Sequence, residues 1–241
     1  MKESLKQICR NSLWSLAAIL IFSMAFASFT PAHAAEKSEA QSMVDKSKAT
    51  LVDVTNDNYF SWLNGYLKDA KGVLIFPQII KGGFVFGGSG GTGVFLVRDE
   101  ATGAWSYPAF YTLGSVTFGL QIGGEAAEVV MLAMSKKAVN TLLSSSVKLG
   151  GDVSIAVGPV GGGAKGSVAV PEVTADFISF TRTKGLYAGL NLEGSVLVIR
   201  DGLNEAYYGD GTLPIDIIIK KQTGNPGADD LRAALQKAAA K

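Results

Sequence analysis

The sequence predicts an α+β domain: an antiparallel, barrel-like β-sheet core with flanking N-terminal helices. Three observations predict it. Apolar residues recur every three or four positions between 35 and 70, which is the period of a helix lying on a core. Beyond Gly72 the chain becomes a series of short β-branched and aromatic runs divided by glycines, the texture of strands and tight connections. Glycine supplies 29 of 241 residues, and glycine within strands lets a sheet bend and lets backbones approach.

The first element, 1–34, reads as a secretory signal peptide. Lys2, Lys6 and Arg10 precede an apolar run from Leu13 to about Phe26, and Ala32 and Ala34 occupy the small-residue positions of a cleavage site. The expected cut follows Ala34, with Pro31 ending any helix before it; an uncleaved membrane anchor is the alternative. The single cysteine, Cys9, lies ahead of the apolar run, so no lipid attachment is expected. The predicted destination is the periplasm or an equivalent envelope space. Cleavage also removes His33, the single histidine. Without imidazole or thiol, neither a Ser-His nor a Cys-His nucleophile can be assembled, and an ordinary zinc site loses its ligands. No cofactor, metal or catalytic residue is therefore predicted.

The second element, 35–58, is an amphipathic helix in which Met43, Ser47, Leu51 and Val54 share a face. A shorter helical piece from Tyr59 to Ala70 repeats the spacing with Phe60, Leu63 and Leu67. Either packs on the domain or lies on a membrane. The domain proper is placed at 59–221. Its strands are predicted at Val73–Phe76, Gly83–Phe86, Val94–Arg98, Ser115–Ile122, Glu128–Met134, Val153–Val157, Ala175–Thr181, Leu186–Leu190, Ser195–Arg200 and Ile215–Ile219. One helix, capped by Ser135, interrupts them. The remainder, 222–241, reads as a loosely attached helix or tail after Gly224-Asn225-Pro226.

Residues Gly83 to Asp99 match Gly185 to Asp201 at a constant offset, each reading glycine, strand, glycine-rich connection, apolar strand, Arg-Asp. Two similar hairpins in a pseudo-symmetric sheet would produce this pattern, as would shared hairpin grammar.

The charges, 22 Lys+Arg against 21 Asp+Glu, nearly cancel, so nucleic acid is not an expected partner. Gly88-Ser89-Gly90-Gly91-Thr92-Gly93 fits the dinucleotide-loop string, but a strand follows where that loop needs a helix. Gly161 to Ser167 lacks the Gly-Lys-Ser/Thr of a phosphate loop and reads as a turn. The carboxylates Glu125, Glu128, Asp152, Asp176, Glu193 and Asp201 show no spacing that singles out a catalytic pair. Lys81, Arg98, Lys165, Arg182, Lys184 and Arg200 lie at predicted strand ends and are the candidates for holding a phosphate headgroup. Trp105, Tyr107 and Phe110, with Tyr111, are candidates for apolar contact with a ligand or membrane, or else for the core.

A series of motifs then becomes recognisable in order: Ala70-Lys71-Gly72-Val73-Leu74-Ile75-Phe76-Pro77, Gly82-Gly83-Phe84, Gly90-Gly91-Thr92-Gly93-Val94, Trp105-Ser106-Tyr107-Pro108-Ala109-Phe110-Tyr111, Gly119 to Gly123, Gly158 to Gly161, Thr183 to Gly189, Leu192-Glu193-Gly194, and Asn204 with Tyr207-Tyr208-Gly209. From about Tyr59 to Gly211 the chain resembles the SYLF domain. The resemblance implies a lipid-binding module. Eukaryotic relatives pair it with SH3 or FYVE domains, bind phosphoinositides and in some fungi bind actin; bacterial relatives are envelope proteins. The family's lipid contacts are associated with an N-terminal amphipathic helix and basic residues, yet here the matching helix carries Glu36, Glu39, Asp45 and Asp53 against Lys37, Lys46 and Lys48.

The expectation is thus non-catalytic binding of phospholipid, or of a membrane surface, by a secreted bacterial envelope protein. The rival is a structural or protein-interaction module with an envelope protein partner. Actin is not expected as a partner.

Overall fold

The computed structural model describes residues 31–83, 86–118, 123–158, 174–184 and 192–241. The chain begins with helix α1 (Pro31–Asn56), a 3-10 turn (Asn58–Phe60) and α2 (Ser61–Leu67). Eight strands follow: β1 (Gly72–Gly83), β2 (Phe86–Val97), β3 (Ala109–Phe118), β4 (Gly123–Ala133), then after α3 (Lys136–Leu142) β5 (Ser146–Lys148), β6 (Ile155–Val157), β7 (Phe177–Lys184) and β8 (Val196–Ile199). Helices α4 (Asp201–Tyr208), α5 (Pro214–Ile218) and α6 (Asp229–Ala239) complete it. The α+β expectation holds, and the sheet is antiparallel except where β6 runs parallel to β7.

The strand order is β5-β8-β3-β2-β1-β4-β7-β6. Laid flat, eight strands would separate β5 from β6 by about 34 Å, at roughly 4.8 Å per step. Segment 149–154 joins them and spans at most about 25 Å even when extended, so the sheet has to curl. An isolated bridge between Leu149 and Val153 marks where the ends approach.

Curling gives the sheet two buried faces. On the inner face Leu74, Phe76, Phe95, Tyr111, Leu113, Val129 and Met131 meet Val147 of β5 and Leu197 of β8, with Val139 and Leu142 of α3 and Ile217 and Ile218 of α5. On the outer face Val73, Ile75, Val94, Leu96, Val130 and Leu132 lie under Val44, Leu51 and Val54 of α1, Leu63 of α2, Leu203 of α4, and Leu231 and Leu235 of α6. Both faces being covered explains why β1 reads Val-Leu-Ile-Phe without alternation.

Register matters in β1. Its pairing with β2 shifts between Ile75 and Ile80, and with β4 between Phe76 and Ile79, so one extra residue lies at Pro77-Gln78. Pro77 has no N–H to give a ladder, which suits it to a bulge. The bulge flips the alternation beyond it: Ile79 joins the inner core, and Ile80 turns outward, 60% exposed. It also pushes backbone toward β2. A Cβ at Gly91 would stand 2.2 Å from the Gln78 carbonyl oxygen, and one at Gly93 would stand 2.3 Å from that of Ile75.

Several expectations are corrected. Ile215–Ile219 is helix α5, not a strand, because Pro214 opens the helix and the Asp216 carboxylate accepts from the Leu213 N–H at 3.1 Å. Helix α6 is firmly packed rather than a loose tail: Leu231 and Leu235 are buried, Lys48 reaches Asp230, and Arg232 donates to the Trp105 carbonyl at 3.0 Å while stacking on the Tyr107 ring. The expectation that Pro31 ends a preceding helix concerns residues 1–30, which lie outside the described residues; Pro31 itself is helical. Of the predicted strand Gly83–Phe86, Gly83 ends β1 and Phe86 opens β2, and the two residues between lie outside the described residues. The first copy of the offset repeat is not a hairpin, because Phe86–Val97 is one continuous strand, β2; in the second copy, residues 185–191 lie outside the described residues. The predicted strand Leu186–Leu190 and the Gly161–Ser167 turn lie outside the described residues.

Candidate functional site

The predicted contact residues do not converge. Arg98 donates through Nη1 to the Lys68 carbonyl and through Nε to that of Gly103 at 3.4 Å, tying the end of β2 to the α2 terminus. Arg182, on β7, is held by Glu128 on β4 and by Asp53 of α1 at 3.3 Å; the Glu128 contact is the main cause of its raised pKa. Arg200 is exposed at the start of α4, and its backbone N–H donates to Phe110. Lys81 lies in β1 opposite Ser89. Lys184 pairs in register with Ala126, and Lys165 lies outside the described residues.

The aromatic candidates belong to the interior. Trp105 and Phe110 are 2% and 0% exposed, and Phe110 meets Tyr207 edge-on with centroids 5.4 Å apart. Tyr107 is half-buried beneath Arg232. Burial makes these residues packing elements, and no surface is presented by Trp105 or Phe110 for a membrane. Asn204, which the spacing arguments passed over, anchors them: its Oδ1 accepts from the Phe110 N–H at 2.9 Å and its Nδ2 donates to the Phe110 and Arg200 carbonyls. Tyr207 itself is pushed up to about 12 by burial.

Helix α1 likewise has its apolar face committed. Ala40, Val44, Leu51 and Val54 are buried in the outer core. Lifting them out would cost on the order of 5–10 kcal/mol, at about 1.5–3 kcal/mol per large side chain.

What stays open is the far end of the sheet, past the bulge. From Gly82 to Val97 and from Ala109 to Gly124 the sequence carries no Asp, Glu, Lys or Arg. On the outer face Ile80, Gly90 and Gly114 stand side by side, with Gly82, Gly88 and Val116 in the next row. Val116 is 75% exposed. The inner face of the same end is polar: Lys81, Ser89 and Ser115 are aligned, with the two hydroxyls 2.7 Å apart. At the root of this end a cleft of about 340 Å³ separates α1 from the sheet, lined by Lys46, Ala49, Asp53, Gln78, Ala126 and Glu128 among others. Among the described residues no group of His, Cys, Asp or Glu could hold a metal ion, and no helix is long and apolar enough to cross a membrane.

Residues 114–238, more than half of the chain, match the Ysc84 family model, described as "Las17-binding protein actin regulator". The chain belongs to the Ysc84 family. This is the SYLF family of the resemblance. Over 166 residues, 68% of this chain, it is 39% identical to an SH3 domain-containing protein, PJ696.02, of Schizosaccharomyces pombe, covering 38% of that protein. Over 176 residues, 72% of this chain, it is 34% identical to Protein YSC84 of Saccharomyces cerevisiae, covering 37% of it. The human SH3 domain-containing YSC84-like protein 1 is 32% identical over 163 residues, 67% of this chain and 47% of the relative. The chain therefore matches less than half the length of these Ysc84 relatives. Because the family description names an actin regulator, the expectation that actin is no partner does not stand.

Proposed function

We propose that this Ysc84-family chain is a non-catalytic phospholipid-binding module working at a membrane surface. The observation that carries the reading is the outer face of the sheet end, where Ile80 and Val116 are exposed among glycines and no charged residue interrupts the β2 and β3 segments. Each such side chain gains about 1.5–3 kcal/mol on leaving water completely. A charge-free face offers nothing to be desolvated at a cost, and Lys81, on the polar reverse face beside Ser89 and Ser115, supplies a cation for headgroup phosphate at the same end of the sheet. Co-sedimentation of the chain with phosphatidylcholine and phosphatidylglycerol vesicles at low and high salt tests this. Retention at high salt is the expected result. Binding that disappears with salt would shift the contact to the strand-end cations, and absence from every pellet would refute the reading.

A second reading has support in the family description, which names actin regulation and Las17 binding. On it, the chain engages actin or an actin-regulating protein, and pelleting with actin filaments in the absence of lipid would favour it. We further propose that 1–34 is a cleaved leader directing the protein to the periplasm or envelope. The mature N-terminus would then be Ala35, trimming the first turn of α1; an exported chain with an intact N-terminus would exclude this.

A further inference from the structure

The glycines of the sheet end are of two kinds. Gly91 and Gly93 are required by the bulge, because a Cβ at either would collide with the β1 backbone. At Gly82 and Gly114 a Cβ would meet nothing within 4 Å, and neither has a positive φ. The fold makes no demand for glycine there, and glycine inside a strand weakens it. Bare backbone in open space suits something outside the chain that must lie close against it.

The register draws the shape of that surface. Ala126, Ile80, Gly90 and Gly114 form one row across β4, β1, β2 and β3, about 14 Å long at three inter-strand steps. Gly82 and Gly88 continue it toward the hairpin ends, with Ile80 and Val116 as the raised side chains. The result is an apolar track with almost no side chains. Its Ala126 end opens into the cleft between α1 and the bulge.

The cleft carries both signs of charge. Lys46 is exposed on its α1 wall and has no ion pair among the described residues. Glu128, 16% exposed, is tied to Arg182, whereas Asp53 is 59% exposed and touches Arg182 only at 3.3 Å, leaving its carboxylate accessible. Lys46 is the cation of the lining and Asp53 and Glu128 its carboxylates, and Arg182, paired to both carboxylates from outside the lining, brings the charges into balance. An anionic headgroup would satisfy Lys46 and leave Asp53 facing like charge; a headgroup with a phosphate and an ammonium satisfies both.

We propose that the cleft and the glycine track together bind one molecule of zwitterionic phospholipid, with the phosphate at Lys46, the ammonium at Asp53, and an acyl chain lying across Gly90, Gly114, Gly82 and Gly88. This rests on the phospholipid-binding reading above and adds to it a headgroup class, a stoichiometry and a place.

The test is native mass spectrometry of the full chain with dihexanoyl phosphatidylethanolamine held below its micelle concentration, and separately with dihexanoyl phosphatidylglycerol. The wild-type chain retains one phosphatidylethanolamine and at least tenfold less phosphatidylglycerol. Gly114→Leu and Gly82→Leu fill the track where the fold has room, so each keeps the wild-type circular dichroism and loses at least tenfold in retention. Lys46→Glu loses a similar factor. Wild-type retention in both the glycine variants and Lys46→Glu, or equal retention of the two lipids, overturns the proposal. A wild-type chain that pellets with vesicles but retains no single lipid also overturns it while leaving the membrane reading intact; a chain that does neither ends both.

Discussion

Two stretches of one strand differ completely. From Val73 to Phe76, β1 is fully buried, with helices on one side and the curled sheet's interior on the other; past the bulge, Ile80 on the same strand stands in solvent. Hydrophobicity does not separate them, since Ile80 is as apolar as Ile75. Covering does. Helix α1 crosses the outer face and packs on β1 and β2 around Val44 to Val54, and beyond that crossing the described layers stop. The lesson is that an apolar strand residue reports burial only where a second layer reaches it.

The largest effect that would sharpen this contrast lies in the packed region. Phe110→Ala should cost about 3–5 kcal/mol in urea unfolding, as expected for a large core ring, and leave vesicle binding of the folded fraction unchanged. A stable Phe110→Ala protein that no longer binds vesicles would return Phe110 to the membrane surface. Asn204→Ala should cost about 1–3 kcal/mol, because it leaves the buried Phe110 N–H without its partner, whereas the Phe110 carbonyl keeps the Arg200 N–H. An unchanged urea midpoint would mean that α4 does not depend on this anchor.

Glycine substitutions compare the two regions directly. Gly93→Ala should destabilise by about 1–3 kcal/mol, since its Cβ would press on the Ile75 carbonyl and the Phe76 ring. Gly114→Ala should stay within about 0.5 kcal/mol, as its Cβ enters open space. Equal costs at both positions would break the distinction between required and spare glycines.

The smallest effect concerns pH. Asp176 joins β7 to the Ser135 cap and to Ser154, and the Ser135 hydroxyl, followed by the Ser154 N–H and hydroxyl, holds its carboxyl down at about 2. An unfolded Asp titrates near 3.9. A pKa depressed by folding means that this contribution is fully present above about pH 4 and is lost as pH falls toward 2. Asp176→Asn should flatten the acid limb of the stability curve over that window; an unaltered limb would show that other carboxylates govern acid unfolding.

Legibility followed the length of the signal. Helix α1, the Ser135-capped α3 and the apolar cores of β1, β2 and β4 stand out because each has several residues in period or a cap at a fixed offset. The run Ile215–Ile219 misleads because a short apolar stretch is compatible with helix and strand alike, and Pro214 with Asp216 is the signal that separates them. The start of β3 at Ala109 is hidden within an aromatic motif that resembles a binding surface. Cations at strand ends could be found from sequence, but that Arg98 and Arg182 are spent on Lys68, Gly103, Glu128 and Asp53 could not.

The sequence by itself determined the α+β class, the family, the absence of imidazole and thiol after residue 33, and the two charge-free segments that become the sheet end. Those are properties of composition and local order. Only the tertiary structure decided which glycines are required, that Trp105 and Phe110 are interior, and that a charged cleft opens onto a bare track. Each of these depends on a contact between residues far apart in the chain: β2 against the β1 bulge, β3 against α4, and α1 against β4. Local spacing carries no information about such distances; they are set by where the curled sheet brings its strands and which of its faces the helices reach.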